Sequence, residues 1–153
     1  MCGIAGYVGD RESADVLVDA LSKLEYRGYD SAGIAVFDHG NIKVKKCKGR
    51  LANLVEKMDE EGKPQGHVGI GHTRWATHGE PSDINSHPHG NKRVTIVHNG
   101  IIENYKKLKD FLVGEGYSFA SETDTEVAAM LIDSLYDGDP FVALKEADKV
   151  LEG

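Results

Sequence analysis

The chain has 153 residues, of which 40% are hydrophobic and 28% charged, and its formal net charge is −7. These values are typical of one globular domain, and the acidic balance argues against a nucleic-acid-binding surface. No apolar run approaches the roughly 18 residues that span a bilayer, and the first residues lack the features of a signal peptide. We therefore expect a cytoplasmic protein that binds neither membranes nor nucleic acid. Two cysteines, Cys2 and Cys47, are too few for a disulfide framework.

The first half of the chain is predicted to alternate between strands and covering helices. Leu17, Leu21 and Leu24 recur at helical spacing, and the turn formers at 38–41 predict a hairpin between two strands. In chain order we expect a strand at 2–8, a helix from Ser13, strands at 32–37 and 42–47, a helix at 50–61 and a strand at 68–72.

The second half is predicted to be mainly helical. Pro81 and Pro88 indicate that residues 80–90 form an irregular surface loop, and Asp124 is expected to be the N-cap of a helix. After that loop we expect a strand at 94–97, a helix from Asn104, a short strand at 117–119, and helices at 125–136 and 141–151.

Cys2 directly follows the initiator methionine. If Met1 is removed, Cys2 carries its own α-amine beside its thiol, and because α-amines titrate close to neutral pH that amine can act as a base. The residue would then combine a nucleophile with its base. On the hexapeptide alone, a small apolar residue at the start of a strand is the favoured interpretation of Cys2.

Three further segments carry side chains suited to acyl transfer from a small amino-acid amide. Arg74 follows one predicted strand and can bind an α-carboxylate with its planar fork. Asn99 and Gly100 follow another, and an asparagine amide with a glycine N–H can stabilise an oxyanion. Asp124 can pair with an α-ammonium group. Together with the Cys2 thiol, this set is complementary to glutamine.

Five motifs in this order resemble the N-terminal-nucleophile class of glutamine amidotransferases, and within it the glutaminase domain of the glutamine–fructose-6-phosphate aminotransferases. The motifs are Cys-Gly-Ile-Ala-Gly at 2–6, Tyr-Arg-Gly-Tyr-Asp-Ser-Ala-Gly at 26–33, Gly-His-Thr-Arg-Trp-Ala-Thr-His-Gly at 71–79, His-Asn-Gly-Ile-Ile-Glu-Asn-Tyr at 98–105 and Thr-Asp-Thr-Glu at 123–126. The resemblance covers essentially the whole chain.

The resemblance implies a role for each residue. Cys2 would be the nucleophile and Asn99 and Gly100 the oxyanion hole, while Arg74, Thr77, His78 and Asp124 would bind glutamine. Trp75 would gate the exit of ammonia, and Arg27 and Tyr29 would lie where the glutaminase half meets a sugar-binding half. The implied reaction hydrolyses L-glutamine and supplies ammonia to fructose 6-phosphate in amino-sugar biosynthesis, without a metal or other cofactor.

The implied fold is an α+β, four-layer αββα sandwich of the N-terminal nucleophile (Ntn) hydrolase type. Members of this family have a longer glutaminase domain followed by sugar isomerase domains. We therefore expect residues 1–153 to be a glutaminase domain that is incomplete at its C-terminal end. A homodimer, or pairing with a missing C-terminal portion, is also expected.

Other interpretations remain open at this stage. An inactive fragment that only binds a partner would retain the same motifs, and a sister enzyme such as the phosphoribosylpyrophosphate-dependent amidotransferase would share most of them. A metal-binding module is suggested by the histidines at 67, 72, 78, 87 and 89, although no cysteine pair or His-Glu-x-x-His helix accompanies them. Taken singly, Asn99-Gly100 is also typical of a hairpin turn, Arg74 of a surface ion pair and Trp75 of a core aromatic.

Overall fold

The computed structural model describes residues 1–76 and 79–153. In chain order its elements are β1 (Gly3–Val8), α1 (Ser13–Ser22), β2 (Ser31–Asp38), β3 (Asn41–Lys48), α2 (Leu51–Glu61), β4 (Val68–Arg74), β5 (His89–Gly90), β6 (Thr95–Ile96), α3 (Tyr105–Gly114), α4 (Asp124–Leu135) and α5 (Pro140–Asp148).

The larger sheet has four antiparallel strands in the order β1-β4-β2-β3. Gly3 pairs with Thr73, and Thr73 also pairs with Ala32 on the other side. Because side chains alternate between the faces of a sheet, the odd positions of β4 face α1, and the even positions Ile70, His72 and Arg74 face the opposite layer. That alternation turns the Arg74 side chain, at the end of β4, toward the interior of the molecule.

One face of this sheet is covered by the two early helices. α1 packs on β1 and β4, and α2 packs on β2 and β3. Gly71 permits the close approach, because a Cβ atom there would lie 2.9 Å from Cδ1 of Leu21. The resulting first core consists of Ala14, Leu17, Leu21, Ala32, Ile34, Val36, Cys47, Leu51, Leu54 and Met58.

The other face of the sheet looks toward a second layer built on the two-stranded β5–β6 pair and covered by α4. α3 and α5 both pack on α4. This half has its own second core, made of Leu108, Leu112, Val127, Met130, Leu131, Ile132, Ala143 and Ala147. The order of layers is therefore helices, sheet, sheet, helices, as expected for an αββα sandwich.

The two cores are separated by buried polar side chains. We call this set the polar layer and define it as His72, Arg74, His87, His89 and Thr125, all of which are almost fully buried. An apolar groove of about 580 Å³ lies beside it, between β2 and β4 on one side and β6, α4 and α5 on the other. The packing between the two sheets is thus polar at the end that holds Arg74.

Three details differ from the sequence predictions. Residues 117–119 form no strand; the Tyr117 N–H is instead bonded to the Leu112 carbonyl at the end of α3. The N-cap of α4 is Thr123, whose hydroxyl accepts the Glu126 N–H, so Asp124 is the first helical residue. The predicted loop 80–90 ends in a short strand, β5, which pairs with Thr95–Ile96.

Candidate active site

Cys2 lies immediately before β1, at the end of the sheet where Arg74 completes β4. Its Sγ atom accepts the backbone N–H of Trp75 at 3.3 Å and lies 3.6 Å from the Trp75 carbonyl oxygen. The thiol is half-buried. Regular antiparallel pairing between β1 and β4 thus fixes the sulfur next to the chain that leaves β4.

Asn99 and Gly100 come from the loop between β6 and α3. The Asn99 side-chain amide donates to the backbone carbonyl of Cys2 at 3.3 Å. No strand follows Gly100 before α3, so the dipeptide is not the turn of a hairpin. The loop therefore places an amide donor beside the cysteine.

Arg74 is almost fully buried at the end of β4. Its Nη2 donates to the Gly79 carbonyl at 3.0 Å. Burial lowers the pKa of Arg74, while the nearby acidic groups Asp30 and Asp124 act in the opposite direction. The guanidinium remains a cation in a largely desolvated site, where it is well suited to bind a carboxylate.

Asp124 is buried at the start of α4. Its Oδ2 accepts the Ile102 N–H at 2.7 Å, and its Oδ1 accepts the Thr125 N–H at 3.0 Å. The helix N-terminus favours the negative charge. The carboxylate thereby connects α4 to the loop that follows Gly100.

These four sites meet in one cavity of about 230 Å³. That is smaller than the roughly 300 to 1,000 Å³ typical of drug-sized ligand sites, so a small amino acid is a suitable occupant. The described lining residues are Met1, Cys2, Arg74, Trp75, His87, His98, Asn99, Gly100, Ile101, Thr123, Asp124 and Thr125.

The residues predicted to gate the site lie at its outer edge. Trp75 is 51% exposed and packs edge-to-face against Tyr29, with ring centroids 6.0 Å apart. The Arg27 guanidinium Nη2 lies 2.6 Å from the Met1 sulfur. Thr77 and His78, which the sequence also suggested for substrate binding, lie outside the described residues.

The buried histidines of the polar layer were not predicted to belong to this site. The rings of His72 and His87 stack with centroids 4.0 Å apart, and His89 packs edge-on against His87 at 4.7 Å. Burial lowers the pKa of His72 to about 4 and that of His89 to about 3, and it lowers the pKa of His87 further still. All three imidazoles are therefore neutral near pH 7.

Gly33 allows the His87 backbone to reach the sheet. A Cβ atom at Gly33 would lie 2.0 Å from the His87 carbonyl oxygen, so any other residue would displace the loop. The sequence did contain one indication that His72 lies near the candidate site. His72 and Arg74 are two residues apart on β4, so their side chains share one face of the sheet.

Lys46 on β3 was also missed, because it lies in a run of lysines that resembles a solvated face. Its ammonium donates to the carbonyls of Ile84, Ser86 and Pro88 at 3.1, 2.9 and 3.2 Å. Burial lowers the pKa of Lys46 to about 8, although Glu126 and Asp83 oppose the shift. The lysine thereby fastens the loop that carries His87 to the sheet.

The second cysteine, Cys47, belongs to the first core rather than to the cavity. Burial raises the pKa of its thiol, which makes it a poor nucleophile.

Within residues 1–76 and 79–153 no group of three or more His, Cys, Asp or Glu side chains is arranged to hold a metal ion. In the same residues no helix is long and apolar enough to cross a membrane.

Comparison with known proteins gives a consistent result. The sequence family described as the glutamine amidotransferase domain matches residues 72–146. The glutamine–fructose-6-phosphate aminotransferases of Clostridium perfringens and Clostridium tetani are 61% and 59% identical to this chain; each match covers 100% of this chain and 25% of the relative. The corresponding enzyme of Thermus thermophilus is 54% identical. The chain thus spans about a quarter of the length of the curated relatives it matches.

Solved structures confirm the predicted Ntn fold. The glutamine phosphoribosylpyrophosphate amidotransferase from B. subtilis superposes with a TM-score of 0.82 at 27% identity, covering 100% of this chain and 33% of that one. A structure described as the allosteric regulatory enzyme of purine biosynthesis gives a TM-score of 0.84 at 28% identity, covering 100% and 34%.

Proposed function

The chain belongs to the glutamine amidotransferase family, and on that premise we propose that it hydrolyses the side-chain amide of L-glutamine through Cys2. The observation that carries the proposal is the convergence of Cys2, Arg74, Asn99 and Asp124 on one small cavity. A thiol, an amide donor, a buried cation and a buried carboxylate are what glutamine hydrolysis needs.

In the proposed binding mode, Arg74 holds the α-carboxylate of glutamine and Asp124 its α-ammonium. Asp124 already accepts two backbone N–H groups, which keep the carboxylate oriented. Because the two charged groups lie on different elements, β4 and α4, they fix both ends of the amino-acid head. The side-chain amide then points toward the Cys2 sulfur.

The proposed reaction begins with removal of Met1, which frees the Cys2 α-amine. The amine takes the thiol proton, and the thiolate attacks the amide carbon. The Asn99 side chain and the Gly100 N–H stabilise the oxyanion. Collapse breaks the C–N bond and releases ammonia, which leaves with the proton from the amine. Water then hydrolyses the γ-glutamyl thioester to glutamate.

The wider role follows from the relatives. We propose that residues 1–153 form part of a glutaminase domain whose ammonia is transferred to fructose 6-phosphate when a sugar-binding portion is present. The exposed side chains of Trp75 and Tyr29, together with Arg27, would face that portion. We further propose a cytoplasmic location, because a reducing compartment keeps the Cys2 thiol free, and a homodimer or pairing with a C-terminal portion.

The identity values favour the aminotransferase over the phosphoribosylpyrophosphate-dependent enzyme. Curated aminotransferases match this chain at 52–61% identity, whereas the phosphoribosylpyrophosphate amidotransferase from B. subtilis is 27% identical. An inactive binding module is the remaining alternative, and the assay below separates it from an enzyme.

The test is release of glutamate from glutamine by protein whose Met1 has been removed, followed with glutamate dehydrogenase. We expect saturable turnover that Cys2→Ala abolishes, and Asn99→Ala should lower kcat by about 10²- to 10³-fold. Cys47→Ala is the matched control and should retain the rate, because Cys47 lies in the first core. Equal rates for the parent protein and Cys2→Ala would contradict the proposal.

A further inference from the structure

His72 makes a hydrogen bond that has no role in the reaction proposed above. Its ring is fully buried on the inward face of β4. The ring Nε2 lies 3.1 Å from the backbone carbonyl oxygen of His98. A carbonyl can only accept a hydrogen bond, so Nε2 must carry the proton.

We propose that His72 is a positioning residue for the oxyanion hole, acting through the His98 carbonyl on Asn99 and Gly100. The inference rests on the proposed function, because that function gives Asn99 and Gly100 their role. The peptide bond between His98 and Asn99 is planar. Fixing the His98 carbonyl therefore fixes the plane that contains the Asn99 nitrogen and Cα.

A second contact holds the same loop from its other side. The His98 ring Nδ1 lies 3.4 Å from the Thr125 hydroxyl, and that hydroxyl lies 3.0 Å from His87 Nε2. His87 in turn stacks on His72. The backbone and the side chain of His98 are thus both tied to the polar layer, one residue before Asn99.

The other ring nitrogen of His72 indicates which property of histidine is needed at this position. Nδ1 is buried and has no hydrogen-bond partner in the described part of the chain. Leaving a buried acceptor unpaired is destabilising, and an apolar side chain of similar size would avoid that cost. The Nε2–H donor is therefore the feature that distinguishes histidine from an apolar residue at this position.

The neutral state of the ring supports this role. Burial lowers the pKa of His72 to about 4, so near pH 7 the ring carries one proton. Only the tautomer with that proton on Nε2 satisfies the His98 carbonyl.

The variants His72→Leu and His72→Gln test the proposal, with His89→Leu as the matched control. His89 is equally buried, but its Nε2 is directed to the Asn85 carbonyl at 3.3 Å rather than to the oxyanion loop. The Gln side-chain amide can supply an N–H in roughly the position of Nε2. The measured quantities are kcat and KM for glutamine hydrolysis.

We expect His72→Leu to lower kcat by roughly 10- to 100-fold, part of the effect of losing an oxyanion donor outright. KM should change by less than about threefold, because Arg74 and Asp124 still bind the substrate head. His72→Gln should recover most of the lost kcat. An unchanged kcat in His72→Leu, or an equal fall in His89→Leu, would overturn the proposal.

Nitrogen NMR provides a readout that does not need turnover. The His72 ring should show a protonated Nε2 and a bare Nδ1, and His72→Leu should shift the Asn99 side-chain amide and the Gly100 amide more than His89→Leu does. A protonated Nδ1, or unshifted Asn99 and Gly100 signals, would overturn the positioning role. If the parent protein fails to hydrolyse glutamine while these shifts appear, the proposed function fails but the structural tie stands.

Discussion

The first core and the polar layer lie on opposite faces of the same sheet, and they hold the chain together in different ways. The first core is made of apolar side chains that interlock between the sheet and helices α1 and α2. The polar layer is made of histidines, an arginine and a threonine joined by hydrogen bonds and ring stacking. Apolar contacts are non-directional, whereas hydrogen bonds fix angles.

This difference assigns separate tasks to the two faces. Burial of apolar surface in the first core stabilises the sheet, and the sheet presents Cys2 and Arg74 on regular backbone. The partners of Cys2 on the other side, Asn99 and Asp124, belong to a loop and a helix start. We therefore expect the directional contacts of His72, His87 and Thr125 with His98 to hold the two halves of the candidate site in register.

The largest expected effect concerns the first core. Leu21 is fully buried against β4, and Leu21→Ala should lower the free energy of unfolding by about 2–5 kcal/mol. Urea denaturation at pH 7 and at pH 5 should give the same loss, because no charge is involved. The exposed Leu144→Ala is the control and should change stability by no more than about 0.5 kcal/mol. A smaller loss of stability for Leu21→Ala than for Leu144→Ala would contradict the stabilising role of the first core.

Loss of the hydrogen bonds by which Lys46 holds the loop at 84–88 to the sheet should have the next largest effect on stability. Lys46→Met keeps the length of the side chain but leaves three carbonyls without their shared donor. We expect unfolding to become easier by about 1–3 kcal/mol, measured by urea denaturation. Proteolysis should also cut near residues 84–88 faster. Lys43→Met, on the same strand but directed to Asp38, is the control for the proteolysis and should leave that loop protected.

Protonation of the buried histidines should distinguish the polar layer from the core. The pKa values of His72 and His89 fall from 6.5 to about 4 and about 3 in the folded state, so below pH 6.5 the unfolded chain binds protons that the folded chain excludes. Their contribution to stability is complete above pH 6.5 and is lost as pH falls toward 4. Each histidine should add a slope of up to about 1.4 kcal/mol per pH unit.

The slope is measured from urea midpoints between pH 7 and pH 4.5. His89→Gln should reduce it, whereas the exposed Leu144→Ala, which removes no titratable group, should leave it unchanged. A parent protein whose stability is flat across that range would show that the histidines are not buried as neutral rings.

The smallest effect is expected at the exposed side of α1. Lys23 pairs with Asp19 at 2.8 Å, and both side chains are about 70% exposed. Such pairs are screened by solvent and salt, so Lys23→Ala should leave the urea midpoint unchanged within error. A clear destabilisation would mean that α1 depends on surface charge as well as on its buried leucines.

The sequence was sufficient for the regular half of the molecule. Apolar periodicity predicted α1, α2 and the strands around them, because the side chains that create the pattern are those that fill the first core. The motifs also identified the four groups that meet in the cavity. Their spacing along the chain says little about distance, so their convergence came from the resemblance and was then observed in the structure.

The polar layer could not be predicted in the same way. His72, His87 and His89 suggested a metal site in the sequence, because nothing local indicates which rings stack and which carbonyls they meet. Lys46 looked solvated because its neighbours are lysines, although its partners lie about 40 residues away. The N-cap of α4 was predicted at Asp124 rather than at Thr123 for a similar reason. Both side chains can cap a helix, and the hydrogen bond from the Ile102 N–H to Asp124 is a tertiary contact that the sequence does not show.

The role of Cys2 as the nucleophile is tested by the intact mass of Met1-processed protein before and after exposure to a glutamine-like diazoketone that alkylates amidotransferase thiols. We predict one stoichiometric adduct on Cys2 that glutamine blocks, that Cys2→Ala lacks, and that leaves the buried Cys47 unmodified. Processed protein that forms no adduct, or an adduct that glutamine does not block, would contradict the assignment of Cys2 as the nucleophile of a glutamine-binding site.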